Sequence, residues 1–388
     1  MTDSILIVGG CFAGFWAALA ARRVAGERAV VTMVSREPVL QMRPRLYEAR
    51  PELLGVDFVP LLREAGVGFV QGETVGIDVL DRTVELASGE RLPYSRLVVA
   101  TGSVMQRPPV IGADSAFSID TQVEAIAFDR RLSEIAWAAS HPKIAIIGAG
   151  FTGIELALEM RDRLAAHGGE AVAERATITL IDRAPVVGSE LGIGPRAAIE
   201  TALDSARVEL RLAATVATLA PNRVTFADGV SLDIDAVVLT TGMVAAPFAG
   251  QIPGERDDLG RLIVDRSLRA PSAPEIFVTG DAAAADTGDG HRTLQSCQHA
   301  LQLGRFAGEN AARDLLGIET VPYAQRRYVT CLDLGRSGAV FTDGWDRRVL
   351  ETGCDAKARK RRINTVVIYP PANATGEALL ELSRLPAV

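Results

Sequence analysis

The sequence predicts an α/β protein made of two similar units and a small α+β C-terminal domain, and three observations lead to this prediction. An apolar strand runs through a glycine turn into a helix twice, in ILIVGGCFAGFWAAL (5–19) and in KIAIIGAGFTGIELALEM (143–160). Each copy is followed by a buried strand that ends in Thr-Gly, YSRLVVATG (94–102) and IDAVVLTTG (234–242). After about residue 316, short alternating segments replace this pattern. A strand, glycine turn and helix in this order begin a Rossmann-like unit.

Size and composition set the limits of this prediction. At 388 residues the chain is long enough for two or three domains. A net charge of −7 argues against nucleic acid as the main partner, because no basic face of the needed size is offered. No apolar run approaches the roughly 18 residues that cross a bilayer. The first strand begins at about Ile5, which leaves no room for a signal peptide, so the expected location is the cytoplasm.

The first glycine turn has the spacing of a dinucleotide-binding loop but lacks the second glycine. Gly9 permits the tight turn, Gly14 lets helix and strand pack closely, and the helix N-terminus between them suits a pyrophosphate. Cys11 occupies the middle position. The next strand ends at Ser35, where an acidic residue usually holds a ribose hydroxyl. Taken alone, the motif also fits a plain strand, turn and helix.

The second glycine turn has the complete spacing, with Gly148, Gly150 and Gly153. The following strand ends at Asp182, further along the chain than usual, and we assign the excess to a polar loop, AAHGGEAVAER. Asp182 is placed to accept hydrogen bonds from both ribose hydroxyls and to repel a 2′-phosphate, which favours NADH. The adjacent Arg183 leaves NADPH open, because a guanidinium binds a phosphate.

Two dinucleotide sites in one chain indicate two different dinucleotides, since a simple dehydrogenase needs only one. A flavin and a nicotinamide satisfy this requirement, because hydride passes directly between them. We therefore expect FAD and NAD(P)H as cofactors, with NADH favoured.

Further segments, taken in order, resemble the two-dinucleotide-domain flavoproteins of the pyridine nucleotide–disulfide oxidoreductase fold. APEIFVTGDAA contains Gly280 and Asp281, an acid placed to hydrogen-bond a ribityl hydroxyl of FAD, and a helix then begins near Ser296. The resemblance covers about residues 1–316 and implies that the NAD(P)H domain is inserted into the FAD domain. The implied domains are FAD-binding (1–110 and 244–316), NAD(P)H-binding (111–243) and C-terminal (317–388).

Within that fold the chain most resembles type II NADH:quinone oxidoreductases. CQHALQ (297–302) is similar to their A-Q-x-A-x-Q segment, with cysteine for the first alanine. LQMRPRLYE (40–48) stands where they carry an aromatic-x-Pro-Leu-Leu stretch, and GFTGIE (150–155, with Gly150 first) matches their G-x-T-G-x-E. The resemblance implies that NADH reduces FAD and that two electrons then pass to a quinone or a similar small acceptor.

The motifs and the resemblance together assign two sets of cofactor contacts. The expected FAD contacts are Gly9, Cys11, Phe12, Ala13, Gly14, Ser35, Arg36, Arg43, Ala100, Thr101, Gly102, Gly280, Asp281, Gln298, His299 and Ala300. The expected NAD(P)H contacts are Gly148, Gly150, Phe151, Thr152, Gly153, Glu155, Asp182, Arg183, Thr241 and Gly242. Catalytic roles are expected for Glu155, Gln298 and Gln302.

Several of these roles have alternatives. Gln298 and Gln302 share one helix face that borders the quinone pocket in the resembling family, but both are equally compatible with a solvated face. Glu155 either relays protons or orients the nicotinamide amide, or it is an exposed acid. Cys11 is either a reactive thiol with a pKa lowered by the helix N-terminus or a small side chain that the turn tolerates.

The cysteines and histidines give no metal-binding spacing and no C-x-x-C motif, so we expect no metal site. The lack of C-x-x-x-x-C after Gly14 sets aside the disulfide branch of the fold. Sulfide:quinone reductases also resemble this scaffold and need paired cysteines facing the flavin. Cys331 is a candidate for one such residue, and its partner is not evident from the sequence.

The C-terminal region predicts a hairpin over 326–345 with its turn at Gly335 and Gly338, a short strand at 347–353 and a basic helix over 355–364. The basic run at 357–362 is expected to be a solvated face, with anionic lipid as an alternative partner. INTVVIYPP (363–371) is predicted as a strand that covers the flavin or forms a homodimer contact. GEALLELSRLPAV (376–388) is short and not basic, so membrane contact is expected to be peripheral at most; its residues 387–388 lie outside the part described below.

Three functions remain open at this stage. The leading hypothesis is an FAD-dependent NADH oxidoreductase that reduces a quinone or a similar aromatic acceptor. The second is a soluble tailoring flavoenzyme that acts on one metabolite, which the missing membrane helices favour. The third is a redox-sensing flavoprotein with a stable NADH charge-transfer complex.

Overall fold

A computed structural model of the chain describes residues 3–371 and 374–386. The α-helices in these residues are α1 (Phe12–Ala25), α2 (Val59–Glu64), α3 (Gln122–Ala138), α4 (Phe151–Gly168), α5 (Glu170–Arg175), α6 (Arg196–Ser205), α7 (Cys297–Leu315), α8 (Gly353–Arg362) and α9 (Gly376–Glu381). The strands are β1 (Ser4–Val8), β2 (Val30–Ser35), β3 (Val39–Gln41), β4 (Gly55–Asp57), β5 (Gly68–Gln71), β6 (Thr74–Asp78), β7 (Thr83–Leu86), β8 (Arg91–Pro93), β9 (Arg96–Val99), β10 (Ser103–Met105), β11 (Phe117–Ser118), β12 (Lys143–Ile147), β13 (Thr177–Ile181), β14 (Val208–Arg211), β15 (Val216–Ala220), β16 (Arg223–Phe226), β17 (Ser231–Asp233), β18 (Ala236–Leu239), β19 (Met243–Ala245), β20 (Leu262–Ile263), β21 (Arg269–Ala270), β22 (Ala273–Val278), β23 (Ala283–Ala284), β24 (Val329–Asp333), β25 (Ala339–Asp343) and β26 (Arg348–Thr352).

The first unit is a six-stranded sheet in the order β21-β22-β9-β1-β2-β5. All neighbouring strands run parallel except β21, which pairs antiparallel with β22. The central strand β1 is apolar on both faces because both are covered, and Ile5 and Ile7 are completely buried. Two strands of this sheet, β21 and β22, come from the chain after the second unit, so the second unit interrupts the first. The exact domain boundaries remain a prediction.

The second unit repeats this plan in a parallel five-stranded sheet, in the order β11-β18-β12-β13-β14. Strand β12 lies between β13 and β18, as β1 lies between β2 and β9. In each unit a three-stranded antiparallel sheet precedes the strand that ends before the Thr-Gly segment, β6–β8 before β9 and β15–β17 before β18. The predicted α/β class with two Rossmann-like units is therefore confirmed.

Helices α1 and α7 lie against each other in the first unit and run in the same direction. A Cβ on Gly304 would lie within 3.0 Å of the carbonyl oxygen of Ala13, and one on Gly308 within 3.0 Å of that of Ala17. Only glycine permits this approach of the two backbones. Because the helices are parallel, their N-termini open at the same end of the sheet.

The C-terminal residues form a small antiparallel sheet, β24-β25-β26, with α8 packed on it. The predicted hairpin is confirmed, with Gly335 and Gly338 in its turn. The strand predicted over 363–371 is wrong, because α8 continues as one π-helical turn, Ile363–Val367, closed by the Ile368 N–H on the Ile363 carbonyl at 3.2 Å. The β-branched residues that suggested a strand instead divide between buried and exposed faces of this turn.

The polar loop predicted between the second glycine turn and Asp182 is also wrong. Helix α4 continues to Gly168, and α5 occupies Glu170–Arg175. Gly169, at φ +82°, separates the two helices, and the alanine-rich sequence favours helix on either side of it. In the described part of the chain, no helix has the length and apolarity needed to span a bilayer.

Replacing Gly308 with alanine is expected to lower the free energy of unfolding by about 1–3 kcal/mol, because the new Cβ forces α1 and α7 apart. Urea unfolding followed by circular dichroism measures this loss. The matched control is Gly250→Ala, since a Cβ there meets nothing within 4 Å. Equal unfolding midpoints for the two variants would show that the helices do not approach so closely.

Candidate active site

Both glycine turns follow the central strand of their sheet, and their first glycines have the same conformation. Gly9 and Gly148 each have φ +111°, a region that side chains rarely adopt. A Cβ on Gly9 would lie within 3.0 Å of the Ala100 carbonyl oxygen, and one on Gly148 within 3.0 Å of the Thr240 carbonyl oxygen. These two positions therefore require glycine.

The last glycine of each turn brings the helix onto the strand. A Cβ on Gly14 would lie within 3.0 Å of the Gly9 carbonyl oxygen, and a Cβ on Gly153 would meet Gly148 in the same way. The two turns are thus built alike, although only the second has the complete glycine pattern.

Cys11 occupies the middle position of the first turn without distorting it. Its backbone has φ −94° and ψ −165°, and Gly150, in the same place in the second turn, has φ −81° and ψ −167°. This extended conformation is open to any residue, so a glycine is not needed there. No described side chain caps α1 or α4, which leaves the N–H groups of both helix N-termini available to an anion such as a pyrophosphate.

The alternative of a reactive Cys11 thiol with a lowered pKa is wrong. Burial raises the pKa of this thiol, and the Arg43 guanidinium, which lowers it, does not compensate. The thiol therefore stays protonated at neutral pH, and the protonated form is a poor nucleophile. Cys11 acts here as a small side chain in the turn.

Arg43 lies beside Cys11 and contacts Ser103 and Asp120, two residues that the sequence analysis did not assign to the site. It forms an ion pair with Asp120 and donates to the Ser103 carbonyl oxygen at 3.2 Å. The Ser103 hydroxyl in turn donates to the Asp281 carboxylate at 2.7 Å. Asp120 and Ser103 come from chain after the first unit's Thr-Gly strand, and no motif marks them.

Four buried polar atoms around the first turn have no hydrogen-bond partner among the described residues. They are Thr101 Oγ1, Thr279 Oγ1, Gln298 Nε2 and Gln302 Oε1. An unsatisfied buried polar atom costs roughly 1–3 kcal/mol, so several around one turn indicate a ligand that pairs with them. Together with the glycine turn and the polar side chains of Arg43, Ser103 and Asp281, the two threonine hydroxyls fit a dinucleotide such as FAD.

The structure brings most of the expected FAD contacts to this end of the sheet. Those that lie on the turn, on the following helices or at the ends of β2, β9 and β22 are Gly9, Cys11, Phe12, Ala13, Gly14, Ser35, Ala100, Thr101, Gly102, Gly280, Asp281, Gln298 and Ala300. Arg36 is exposed, with its guanidinium 3.9 Å from Glu73. Its contact with the cofactor remains a prediction.

His299 is completely buried and belongs to a stack of aromatic rings. Its ring lies parallel to that of Tyr328, with 5.5 Å between the ring centroids, and Tyr328 stacks on Trp345 at 4.5 Å. Burial lowers the pKa of His299 to about 4, so the ring is neutral at pH 7. Its Nδ1 lies 3.0 Å from the Ser296 hydroxyl. A contact with the flavin remains a prediction.

At the second turn, Asp182 directly follows β13, and its contact with a ribose remains a prediction. The Asp182 carboxylate accepts from the Ala149 N–H at 2.6 Å and from the Ala184 N–H at 2.7 Å, which orients it beside the glycine turn. Arg183 is exposed next to it. The expected contact at Thr241 is less well placed, because its hydroxyl donates to the Gln106 carbonyl oxygen at 2.6 Å.

Thr240 is a structural residue of the second turn that sequence reasoning missed. Its hydroxyl donates to the Gly148 carbonyl oxygen at 2.9 Å, which fixes the turn against β18. The only signal for it in the sequence is that the first unit has Ala100 where this Thr-Thr-Gly segment has Thr240. Gly150, Phe151, Thr152, Gly153 and Gly242 lie at the same sheet edge, at the start of α4 and the end of β18.

Glu155 is buried, so the alternative of an exposed acid is wrong. Its carboxylate lies 2.8 Å from Lys360 Nζ of α8 and accepts from the Asp333 N–H at 2.9 Å. The two charged side chains are only 3% and 6% exposed. Burial raises the pKa of Glu155 to about 7, although Lys360 and the Asp333 N–H lower it.

The basic run at 357–362 is therefore not simply a solvated face. Lys360 is buried against the rings of Tyr47 and Phe151, with Nζ 5.7 and 5.5 Å from the two ring centroids. Lys357 lies 2.5 Å from Asp333. The prediction that these basic side chains are solvated was wrong for Lys357 and Lys360, because one side of α8 packs on β24 and β25. A charge pattern in the sequence does not reveal this packing.

Gln298 and Gln302 are half-buried, and one amide atom of each, Gln298 Nε2 and Gln302 Oε1, is shielded from solvent. All four cysteines are free thiols. Burial raises the pKa of both Cys297 and Cys331 to about 11.

Among the described residues, no group of three His, Cys, Asp or Glu side chains is placed to hold a metal ion.

Comparison with known proteins agrees with this geometry. The family model for pyridine nucleotide-disulphide oxidoreductases matches residues 3–304. The NADH dehydrogenase-like protein Rv1812c of Mycobacterium tuberculosis is 39% identical over 388 residues, covering 97% of this chain and 96% of its own. Demethylphylloquinone reductase NdbB of Synechocystis is 27% identical and covers 88% of each chain. The type II NADH:quinone oxidoreductase of Haemophilus influenzae is 25% identical and covers 79% of each.

Among solved structures, the sulfide:quinone oxidoreductase of Aquifex aeolicus matches with a TM-score of 0.76 and 20% identity, over 93% of this chain and 90% of that one. A ferredoxin reductase of Rhodopseudomonas palustris matches with a TM-score of 0.71 and 21% identity, over 88% of each chain. At these identities the likeness concerns the fold.

The extended backbone at Cys11 predicts that Cys11→Gly retains bound flavin, because the turn keeps its conformation. Cys11→Phe is expected to purify without flavin, since the large ring fills the space between the turn and Arg43. The ratio of flavin absorbance to protein absorbance after purification measures both outcomes. A fully yellow Cys11→Phe protein would show that the cofactor does not lie over this turn.

Proposed function

The chain belongs to the pyridine nucleotide-disulphide oxidoreductase family, and from this premise we propose that it is an FAD-dependent NADH oxidoreductase that delivers two electrons to a quinone. One observation carries the choice of acceptor. Gln298 and Gln302 turn shielded, unpartnered amide atoms to one face of α7, next to the first glycine turn. Two relatives whose names include a quinone substrate, from Synechocystis and Haemophilus, support the same choice.

FAD and NADH, when bound, supply the hydride chemistry, and the residues of the chain hold and surround them. The first glycine turn, with Arg43, Ser103 and Asp281, would hold FAD, and the second turn with Asp182 would hold NADH. Asp182 favours NADH because its carboxylate repels a 2′-phosphate. The two turns lie at the carboxyl ends of their sheets, where ligands of such folds bind.

The N-terminus of α7 contributes electrostatic stabilisation. Ser296 caps the helix by accepting from the His299 N–H at 3.3 Å, and the other N–H groups of the first turn remain oriented along the axis. The positive end of the helix dipole stabilises negative charge near it, which favours the reduced state of a neighbouring cofactor.

The glutamine pair is suited to position a carbonyl group. Gln298 Nε2 donates hydrogen bonds, and the amide of Gln302, four residues later on the same face, offers both a donor and an acceptor. A quinone has two carbonyl oxygens that become hydroxyl groups on reduction, so both amides find partners before and after the reaction.

Glu155 of α4, which pairs with Lys360 of α8, is proposed as the group that exchanges protons. With a pKa of about 7, it exists in both protonation states at physiological pH, and Lys360 holds the charged form in place. Glu159 and Asp333 continue this cluster through Lys357, which lies 3.7 and 2.5 Å from them. Reduction of a quinone by two electrons takes up two protons, which this cluster is suited to supply.

Anaerobic stopped-flow spectroscopy tests the proposal. NADH is expected to bleach the flavin rapidly, and a quinone is expected to restore its colour rapidly. Gln302→Leu should slow the second step at least tenfold and leave the first unchanged, because the Gln302 amide is proposed to hold the acceptor. Gln298→Leu should slow the second step as well, and its flavin content is measured first because Gln298 is also an expected FAD contact. Gln251→Leu, on the surface of the first unit, is the control and should change neither step.

Other results of the same experiment contradict the proposal in different ways. Bleaching without any response to quinones would favour a tailoring enzyme with its own metabolite. A stable long-wavelength band with almost no turnover would favour a redox sensor.

The pKa of Glu155 predicts a pH dependence of quinone reduction. The carboxyl group is protonated below about pH 7 and loses its proton as the pH rises, so the rate of flavin reoxidation by a quinone should fall above pH 7. Glu155→Gln should give a lower rate without this inflection. Lys360→Met removes a charge that lowers the pKa of Glu155, so the inflection should move to higher pH. An unchanged profile in both variants would exclude Glu155 as the proton donor.

A further inference from the structure

An arginine that forms no ion pair with any described residue continues the face of α7 that carries the two glutamines. Arg305 follows Gln302 by three residues and Gln298 by seven, a spacing that places the three side chains on one side of the helix. The Arg305 guanidinium lies over the ring of Trp16 of α1, 4.0 Å from its centroid. Its Nε is shielded from solvent and has no hydrogen-bond partner among the described residues.

Within residues 3–371 and 374–386, no acidic side chain forms an ion pair with Arg305. The next acid along this face, Glu309, is already paired with Arg23 of α1 and with Arg313 at 2.8 Å. Burial lowers the pKa of Arg305 to about 10, and no neighbouring carboxylate opposes this effect. At neutral pH the guanidinium is therefore still charged, partly desolvated and not neutralised.

A partly buried positive charge without an anion is costly, and the stacking on Trp16 compensates only part of this cost. Stacking uses the flat face of the guanidinium and leaves the N–H donors at its edge free. An edge with two parallel N–H donors matches a carboxylate, which accepts both. Trp16 itself is fixed, because it is buried and its ring packs edge-on against Phe15 at 5.6 Å.

We propose that this face of α7 binds an acceptor with an anionic substituent: a quinone that carries a carboxylate on or near its ring. The inference rests on the proposed function and specifies its substrate class. The ring lies against Gln298 and Gln302, and the carboxylate pairs with Arg305. Three residues of helix rise about 4.5 Å, which matches the distance from a ring to a carboxylate attached to it.

The two-electron reduction of the quinone by NADH balances without any chemical change at the carboxylate. NADH and one proton give two electrons and two protons to the quinone, which becomes the quinol, and NAD⁺ is released. Both quinone carbonyl groups become hydroxyl groups, and the carboxylate serves only for recognition. An acceptor with a long uncharged tail and no acid would leave Arg305 unpaired.

Binding of 2-naphthoate and 2-naphthamide to the FAD-loaded protein tests the proposal. The two probes have nearly the same shape, differ in charge and cannot be reduced by the enzyme. Titration followed by the flavin spectrum should show that the wild-type protein binds naphthoate at least tenfold more tightly than naphthamide. Arg305→Gln should lose this preference, and Arg305→Lys should retain part of it, because lysine keeps the charge but not the paired donors.

Arg313→Gln, on the same helix but paired with Glu309, is the matched control and should keep the full preference. Flavin reduction by NADH in Arg313→Gln should equal that of the wild-type protein. If Arg305→Gln does not hold flavin, the wild-type protein still decides the question. Its affinity for naphthoate should fall with rising salt concentration, while its affinity for naphthamide should not.

Equal affinity of the wild-type protein for the two probes would overturn the proposal, as would an unchanged preference in Arg305→Gln. The two proposals fail separately. A naphthoate preference without quinone turnover would exclude the quinone as the acceptor but retain the anion site. Quinone turnover without any preference would exclude only the anion site.

Discussion

The close parallel packing of α1 on α7 is the constraint on which the rest of the site depends. Gly304 and Gly308 let the two backbones approach, and the shared direction places both helix N-termini at one end of the sheet. One N-terminus belongs to the first glycine turn, and the other carries the glutamine pair. The same contact brings Trp16 under Arg305. Without it, the first glycine turn and the glutamine face of α7 would belong to separate surfaces.

The C-terminal residues contribute side chains to the cluster around Glu155 of α4. Lys360 of α8 reaches Glu155 of α4, and Asn364 of the π-helical turn donates to Glu48 at 3.1 Å. Three separate parts of the chain therefore meet around one buried cluster of charges. Desolvation and ion pairing act against each other there, and the result is an acid that titrates near neutral pH.

Burial has opposite chemical consequences for the acids and the thiols of the site. It raises the pKa of Glu155 into the range where a proton is exchanged easily. It also raises the pKa of the thiols of Cys11, Cys297 and Cys331, which keeps them protonated and unreactive. The same physical effect thus lets a carboxyl group titrate near neutral pH and keeps the neighbouring thiols in their protonated form.

The sequence by itself determined the two Rossmann-like units, because the glycine turns and buried strands are local patterns with a steric cause. It also indicated both cofactors and the helix that begins after Ser296. The tertiary structure decided what those local patterns leave open. Whether Glu155 is buried, whether Lys360 is solvated and whether Arg305 has a counter-ion depend on contacts between segments far apart in the chain. The strand expected over 363–371 failed for the same reason, since continuation of α8 and packing of Asn364 against Tyr47 and Glu48 outweighed local β propensity.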